Sequence, residues 1–256
     1  MESRDEQTTT QESTSINTKG YVYARETFGT VDGPGIRYVV FLQGCCYRCL
    51  YCHNPDSIPM HTGEVWTAGD LVGEVMRYRR YIANGGVTFS GGEPLMQPAF
   101  VSACIGLLKT QSMHTVIDTA GVPLTKEVRD TIDAADLLLL DIKAMDADMA
   151  VTLTGRSNHD ALAMLAFCEQ IGKPVWIRQV LLRGYTLEPL QLKKLAAYLA
   201  PLQCIQRVEL LPFHKLGEPK WALVDRPYLL KDVEATTQEE AEQARDILRG
   251  FGLHVF

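Results

Sequence analysis

Four cysteines crowd the run Gly44-Cys45-Cys46-Tyr47-Arg48-Cys49-Leu50-Tyr51-Cys52-His53-Asn54. Cys45, Cys49 and Cys52 are spaced C-x3-C-x2-C, and three thiolates on one short loop suit a compact iron–sulfur cube, each holding one iron. Three ligands leave the fourth iron open, and an open iron is where a substrate can coordinate. Two rival chemistries share these residues. Cys49 to His53 matches the C-x-x-C-H haem-attachment pattern, but such attachment belongs to exported proteins and no apolar signal segment opens the sequence. A Cys3His zinc site would use His53, yet a histidine directly after the last cysteine points away from the site its neighbour faces. Cys46 falls outside the spacing and is expected not to be a ligand. Cys104 and Cys168 fall on apolar helical stripes and Cys204 precedes a strand, so all three read as structural.

Further polar residues recur at the ends of apolar runs. Ser90-Gly91-Gly92-Glu93-Pro94 has two glycines that let a ligand approach the backbone, with carbonyls and the Glu93 carboxylate to accept from an ammonium group. Asp118-Thr119-Ala120-Gly121 places a carboxylate where it needs a cation, a donor or a helix N-terminus. In Leu140-Asp141-Ile142-Lys143, alternation sends Asp141 and Lys143 to one face, either to line a site or to pair as a buried salt bridge. Arg178 lies among apolar neighbours and needs a carboxylate. His214, in Leu211-Pro212-Phe213-His214-Lys215, suits either a satisfied core histidine or a ligand contact.

The elements that must position these residues alternate regularly. Apolar runs at 36–43, 86–89, 115–118, 137–142, 175–182 and 208–211 read as strands buried on both faces, hence a parallel sheet. Helical patterns at 70–83, 97–109, 125–135, 159–171, 187–199 and 237–249 follow them, the last opened by a Thr237/Glu240 capping box. Six β-α units in order predict an α/β fold, a partial (β/α)6 TIM-like barrel, with a doubly wound open sheet as the alternative. Residues 20–256 are expected to form one domain. Residues 1–19 are polar and acidic and read as a disordered tail. With 25 basic against 31 acidic residues the chain has a net charge of −6, which argues against nucleic-acid or anionic-membrane partners. No apolar run approaches the ~20 residues of a membrane span. A cytoplasmic protein with reduced thiols is expected.

The pattern Gly33-x-Gly35-x-Arg37-x3-Phe41-x2-Gly44-Cys45-x3-Cys49-x-Tyr51-Cys52-x-Asn54, preceded by Thr30-Val31-Asp32, resembles the signature of the radical-activating enzymes of the radical S-adenosylmethionine (AdoMet, SAM) superfamily. From about Gly20 onward the chain resembles the glycyl-radical-enzyme activases. The resemblance implies an oxidoreductase of the radical SAM type in which Cys45, Cys49 and Cys52 bind a 4Fe–4S cluster. By the same resemblance AdoMet would chelate the open iron and be cleaved reductively to methionine and a 5′-deoxyadenosyl radical, which would take a hydrogen from a glycine Cα. It further implies AdoMet contacts from Tyr51, Cys52, His53, Gly91, Gly92, Glu93, Asp141, Ile142, Lys143, Arg178 and His214. Asp118 and Thr119 would sit beside a monovalent cation, although Ala120 departs from the family's Asp-Thr-Asn-Gly. Asp32 would contact the substrate backbone. Only Cys104, Cys168 and Cys204 follow Cys52, so the chain has the minimal one-cluster form of the pyruvate formate-lyase activases. The expected partners are pyruvate formate-lyase as protein substrate and flavodoxin or ferredoxin as electron donor, with the chain itself a monomer. A radical SAM enzyme acting on another glycyl-radical enzyme or on a small molecule, and a four-ligand iron–sulfur electron carrier, are the alternatives.

Overall fold

The computed structural model describes residues 15–256, and most of the expected tail, residues 1–14, lies outside them. Its last part does not behave as a tail. Ser15 to Asn17 form a helical turn, Ala68 N donates to Thr18 O at 2.8 Å, and the first strand opens at Lys19.

In chain order the strands are β1 (Lys19–Gly29), β2 (Arg37–Leu42), β3 (Glu64–Thr67), β4 (Gly86–Gly91), β5 (Thr115–Thr119), β6 (Leu137–Asp141), β7 (Val175–Leu181) and β8 (Ile205–Pro212). The helices are α1 (Ala68–Met76), α2 (Pro98–Thr110), α3 (Lys126–Ala134), α4 (Ala147–Thr154), α5 (His159–Ile171), α6 (Pro189–Leu199), α7 (Glu218–Leu223) and α8 (Gln238–Arg249). All six predicted strands and all six predicted helices are present within a few residues of their expected ends, α1 being the shorter for stopping at Met76. Elements β1, β3, α4 and α7 are additions.

The chain divides into two compact units. One comprises the described residues up to Cys45 with Pro59–Asp118 and Leu124–Asp136; the other comprises Cys46–Ile58, Thr119–Pro123 and Leu137–Phe256. In the first, strands run in the order β3-β1-β2-β4-β5. Parallel pairing joins β2 to β4 and β4 to β5, and β1 adds antiparallel to both β2 and β3. Val39, Val40, Phe89, Val116 and Ile117 from the strands are fully buried, as are Phe100, Cys104 and Leu108 from α2. In the second unit β6, β7 and β8 are parallel neighbours. Leu138, Leu139, Leu140 and Ile177 are fully buried there, with Leu165, Cys168, Leu195, Leu199 and Leu248 from the helices. Each buried side chain of this size contributes about 1.5–3 kcal/mol. Burial of Cys104, Cys168 and Cys204 agrees with their structural reading. No helix among the described residues is long and apolar enough to cross a membrane.

The capping box of α8 is present, and Glu240 serves it twice over. Its carboxylate accepts from Thr237 N at 2.8 Å and forms two 2.8 Å bonds with the Arg183 guanidinium. Arg183 hydrogen bonding first, and Thr237 next, hold the Glu240 carboxyl at about 2, well below its ordinary 4.5. A lowered carboxylate pKa stabilises the fold above the unfolded value, and that contribution is lost as pH falls through the folded one. The stability gap between wild type and Glu240→Gln should therefore be full above about pH 4.5 and close toward about pH 2. Urea unfolding midpoints across that window check it; a gap independent of pH would contradict it.

Candidate functional site

Within the first unit the Gly91-Gly92-Glu93 segment is tied to the strand that leads into the cysteine loop. Gly92 N donates to Leu42 O and Glu93 N to Gly44 O, both at 2.8 Å. Gly91 has φ +110, and a Cβ there would lie 2.3 Å from Leu42 N. Only glycine fits this approach. Glu93 is 1% exposed, and its Oε1 accepts from Leu95 N at 3.1 Å, capping the 3-10 turn Pro94–Met96. Part of the carboxylate that the sequence offers to an ammonium group is thus engaged by the backbone. Ser90 Oγ donates to Asp118 Oδ2 at 2.7 Å, which supplies the donor that a strand-end carboxylate requires.

In the second unit the cysteine loop is fastened on two sides. Arg48 N and Leu50 N donate to Thr154 O and Leu153 O at 2.8 and 2.9 Å, taking up two of the carbonyls that the end of α4 leaves unpaired. Trp221 Nε1 donates to Cys52 O at 2.9 Å and Lys220 Nζ to Asn54 Oδ1 at 2.7 Å, both from α7. The Tyr47 hydroxyl reaches Ala120 O at 2.9 Å and Gly121 O at 2.7 Å, and Thr119 Oγ1 accepts from Gly121 N at 3.0 Å.

Asp141 and Lys143 form the salt bridge that alternation allows, Oδ2 to Nζ 2.8 Å, with side chains 18% and 15% exposed. The Lys143 ammonium also lies 5.8 Å from the Tyr51 ring centre. Burial alone would lower its pKa, but Asp141, Tyr51 and Cys49 outweigh burial and raise it well above the ordinary lysine value. Burial pushes the Cys49 thiol up to about 12 against the opposing pull of Lys143, and it raises Cys52 and Tyr51 as well. The buried Tyr51 hydroxyl has no hydrogen-bond partner among the described residues. Ile142 is held by both main-chain groups: its N–H donates to Arg178 O at 2.9 Å and its C=O accepts from Gln179 Nε2 at 3.1 Å.

His214 is exposed rather than a satisfied core histidine. Its ring packs, tilted, against exposed His53 at 4.5 Å between centres and 36° between planes. Arg178 has a carboxylate partner within the protein. Its Nε donates to Glu209 Oε2 at 2.9 Å across the paired positions of β7 and β8. Glu209 also meets Arg207 Nε at 2.9 Å. One carboxylate is thus shared between two guanidinium groups. Glu209, Trp221, Lys220 and Tyr47 carry the site's scaffolding and are not found by sequence reasoning, because their partners are distant in the chain.

Among the described residues no three His, Cys, Asp or Glu side chains are gathered as a ready-made ion site. The donor set nevertheless fits an iron–sulfur cluster by its chemistry: three thiols on one loop, none in a disulfide, and a buried ammonium beside Cys49 and Cys52 that favours their thiolates.

Residues 39–196 match the Radical SAM superfamily. The pyruvate formate-lyase-activating enzyme of Streptococcus mutans is 40% identical over 238 residues, covering 90% of each chain. The chain belongs to the radical SAM superfamily, in the family of the pyruvate formate-lyase-activating enzymes. The Staphylococcus aureus member of this family is likewise 40% identical, over 88% of this chain and 94% of its own. A crystallised domain of the Bacteroides vulgatus member is 27% identical, with a TM-score of 0.57 over 67% of this chain and 98% of that one. A radical SAM methyltransferase from Sphaerobacter thermophilus, 17% identical, superposes with a TM-score of 0.63 over 86% of this chain and 65% of its own. The fold is thus the α/β partial (β/α)6 barrel expected from the sequence, and the chain is a radical SAM enzyme.

Proposed function

We propose that the chain activates pyruvate formate-lyase by creating a radical on one of its glycines. The single observation that supports this reading is 40% identity to pyruvate formate-lyase-activating enzymes along 90% of the chain, a span that includes the C-x3-C-x2-C loop. When bound, a 4Fe–4S cluster supplies the electron that cleaves AdoMet to methionine and a 5′-deoxyadenosyl radical able to take a glycine hydrogen. Cys45, Cys49 and Cys52 would hold the cluster.

The chain's own residues bind and orient. Backbone groups of Gly91 and Gly92, held against Leu42 and Gly44, would accept from the AdoMet ammonium beside Glu93. The neighbouring imidazoles of His53 and His214 would lie near the adenosine portion. Asp141, Ile142, Lys143, Tyr51 and Cys52 would line the ribose and methionine portions. Arg178, aimed by Glu209, would face the AdoMet carboxylate. Asp118 and Thr119 would hold a monovalent cation, and Asp32 would contact the substrate backbone. Positioning is the catalytic lever in this scheme, since the account needs no general base. Flavodoxin or ferredoxin would deliver the electron, and the enzyme would act as a cytoplasmic monomer.

Anaerobic incubation of the reconstituted enzyme with AdoMet, a reductant and pyruvate formate-lyase should give a glycyl radical by electron paramagnetic resonance. A signal that forms equally without the enzyme, or none with it, would refute the proposal.

A further inference from the structure

We propose that Thr88, together with Arg37, is the positioning residue that holds the connection Asp32–Gly35 in the shape that receives the substrate glycine. The inference rests on the activase reading above and deepens it.

Arg37 is wholly buried at the start of β2. Its Nε donates to Thr88 Oγ1 at 2.6 Å, Nη1 to Pro34 O and Gly85 O at 3.0 and 2.8 Å, and Nη2 to Val87 O at 2.7 Å. These acceptors are all neutral. Burying a guanidinium against neutral oxygens is costly, and burial lowers the Arg37 pKa to about 10 against the opposing pull of Asp32 and Asp136. An apolar side chain would fill the same space without that cost, so the arrangement points to a task other than packing.

The task is visible in what the guanidinium and hydroxyl grip. Thr88 Oγ1 accepts from Arg37 and donates to Asp32 O at 2.6 Å, while Arg37 takes Pro34 O. The connection is thus held at two main-chain carbonyls, Asp32 O and Pro34 O. The connection is also shaped so that it cannot relax by substitution. Gly35 has φ +72, and a Cβ there would lie 2.4 Å from Asn84 O; at Gly33, φ +118, it would lie 3.2 Å from Arg37 Cδ.

The connection shares a sheet face with the rest of the site in this unit. Thr88 and Ser90 are two residues apart on β4 and so point the same way, and Ser90 holds Asp118. A glycine offers an enzyme only its N–H and C=O, so its Cα can be placed only through fixed backbone or carboxylate partners. Asp32 to Gly35 supply such partners. Val31 and Ile36, 73% and 41% exposed on either side, supply apolar contact for the flanking residues of an extended peptide.

Thr88→Val keeps the side-chain shape and removes the hydroxyl; Thr88→Ser keeps the hydroxyl. Amide hydrogen exchange at Asp32, Gly33 and Gly35 should accelerate at least about tenfold in Thr88→Val and stay near wild type in Thr88→Ser. The thermal midpoint should stay near wild type in Thr88→Ser and fall in Thr88→Val, which leaves the buried Arg37 Nε and Asp32 O without their partner. In reconstituted enzyme, the affinity for a peptide spanning the partner's glycine should fall about tenfold in Thr88→Val and recover in Thr88→Ser. AdoMet affinity should stay within about twofold in both, since a misplaced substrate rather than a lost cofactor is the fault. Unchanged exchange, unchanged peptide affinity, or equal losses of peptide and AdoMet affinity would each overturn the inference. Failure of the activase reading would show differently, as the absence of any glycyl radical when wild-type enzyme meets the full-length partner.

Discussion

Replacing Cys45, Cys49 or Cys52 singly by alanine should leave the reconstituted protein without its full iron and sulfide content and without detectable radical formation. Replacing Cys46 should do neither. The contrast follows from geometry as well as spacing. In the second unit Cys49 and Cys52 are joined by the turn Cys52 N to Cys49 O at 3.1 Å; burial raises both thiols, and Lys143 opposes that rise. Arg48 and Leu50, on either side of Cys49, are fixed by the end of α4, so the loop is held in register while metal displaces the thiol protons. Cluster ligation is not shared out: a site missing one of three thiolates has no spare donor in the C-x3-C-x2-C set. Iron and sulfide assays on the four variants give the answer. Loss of iron from Cys46→Ala alone, or retention in Cys49→Ala, would overturn the ligand assignment.

Lys143→Met should be the most destabilising single change at the site. The ammonium and the Asp141 carboxylate are less than one-fifth exposed and lie 2.8 Å apart. Removing the cation leaves a buried carboxylate unpaired, which costs about 3–5 kcal/mol. For a domain of this size that corresponds to a fall in thermal midpoint of roughly 6 °C or more. The double variant Asp141→Asn with Lys143→Met removes both charges and should recover much of the loss, because the two positions act as one unit. Calorimetry of the two variants beside wild type tests this. A Lys143→Met midpoint equal to wild type would mean that the pair contributes nothing to the fold.

The six parallel strands are legible in the sequence because strands covered on both faces read as unbroken apolar runs. Strands β1 and β3 pair antiparallel and carry Lys19, Arg25, Glu26 and Glu64 among their residues, so they lack that signature. Helix α4 does carry end signals, Asp146 capping Asp148 N and Met149 N and Gly155 in the left-handed conformation at its close, but its eight residues are too few for a clear amphipathic stripe. The six-residue α7, with Pro219 in its first turn, is fainter still.

At the site, what repeats locally was readable: the cysteine spacing, the Asp141/Lys143 alternation and the two glycines before Glu93. What depends on register was not. Glu209 meets Arg178 only because β7 and β8 align those two residues, 31 positions apart in sequence. The same holds for Arg37, whose acceptors are mostly backbone carbonyls of segments brought together by the sheet.

The most direct measurement follows the hydrogen. Reconstituted enzyme, AdoMet and reductant are incubated anaerobically with a peptide that spans the partner's glycine and carries deuterium at its Cα. The 5′-deoxyadenosine recovered should contain that deuterium, and the amount should track the glycyl radical formed. Unlabelled 5′-deoxyadenosine from the peptide, with label transferred instead from a deuterated small metabolite, would contradict the assignment of a protein glycine as substrate.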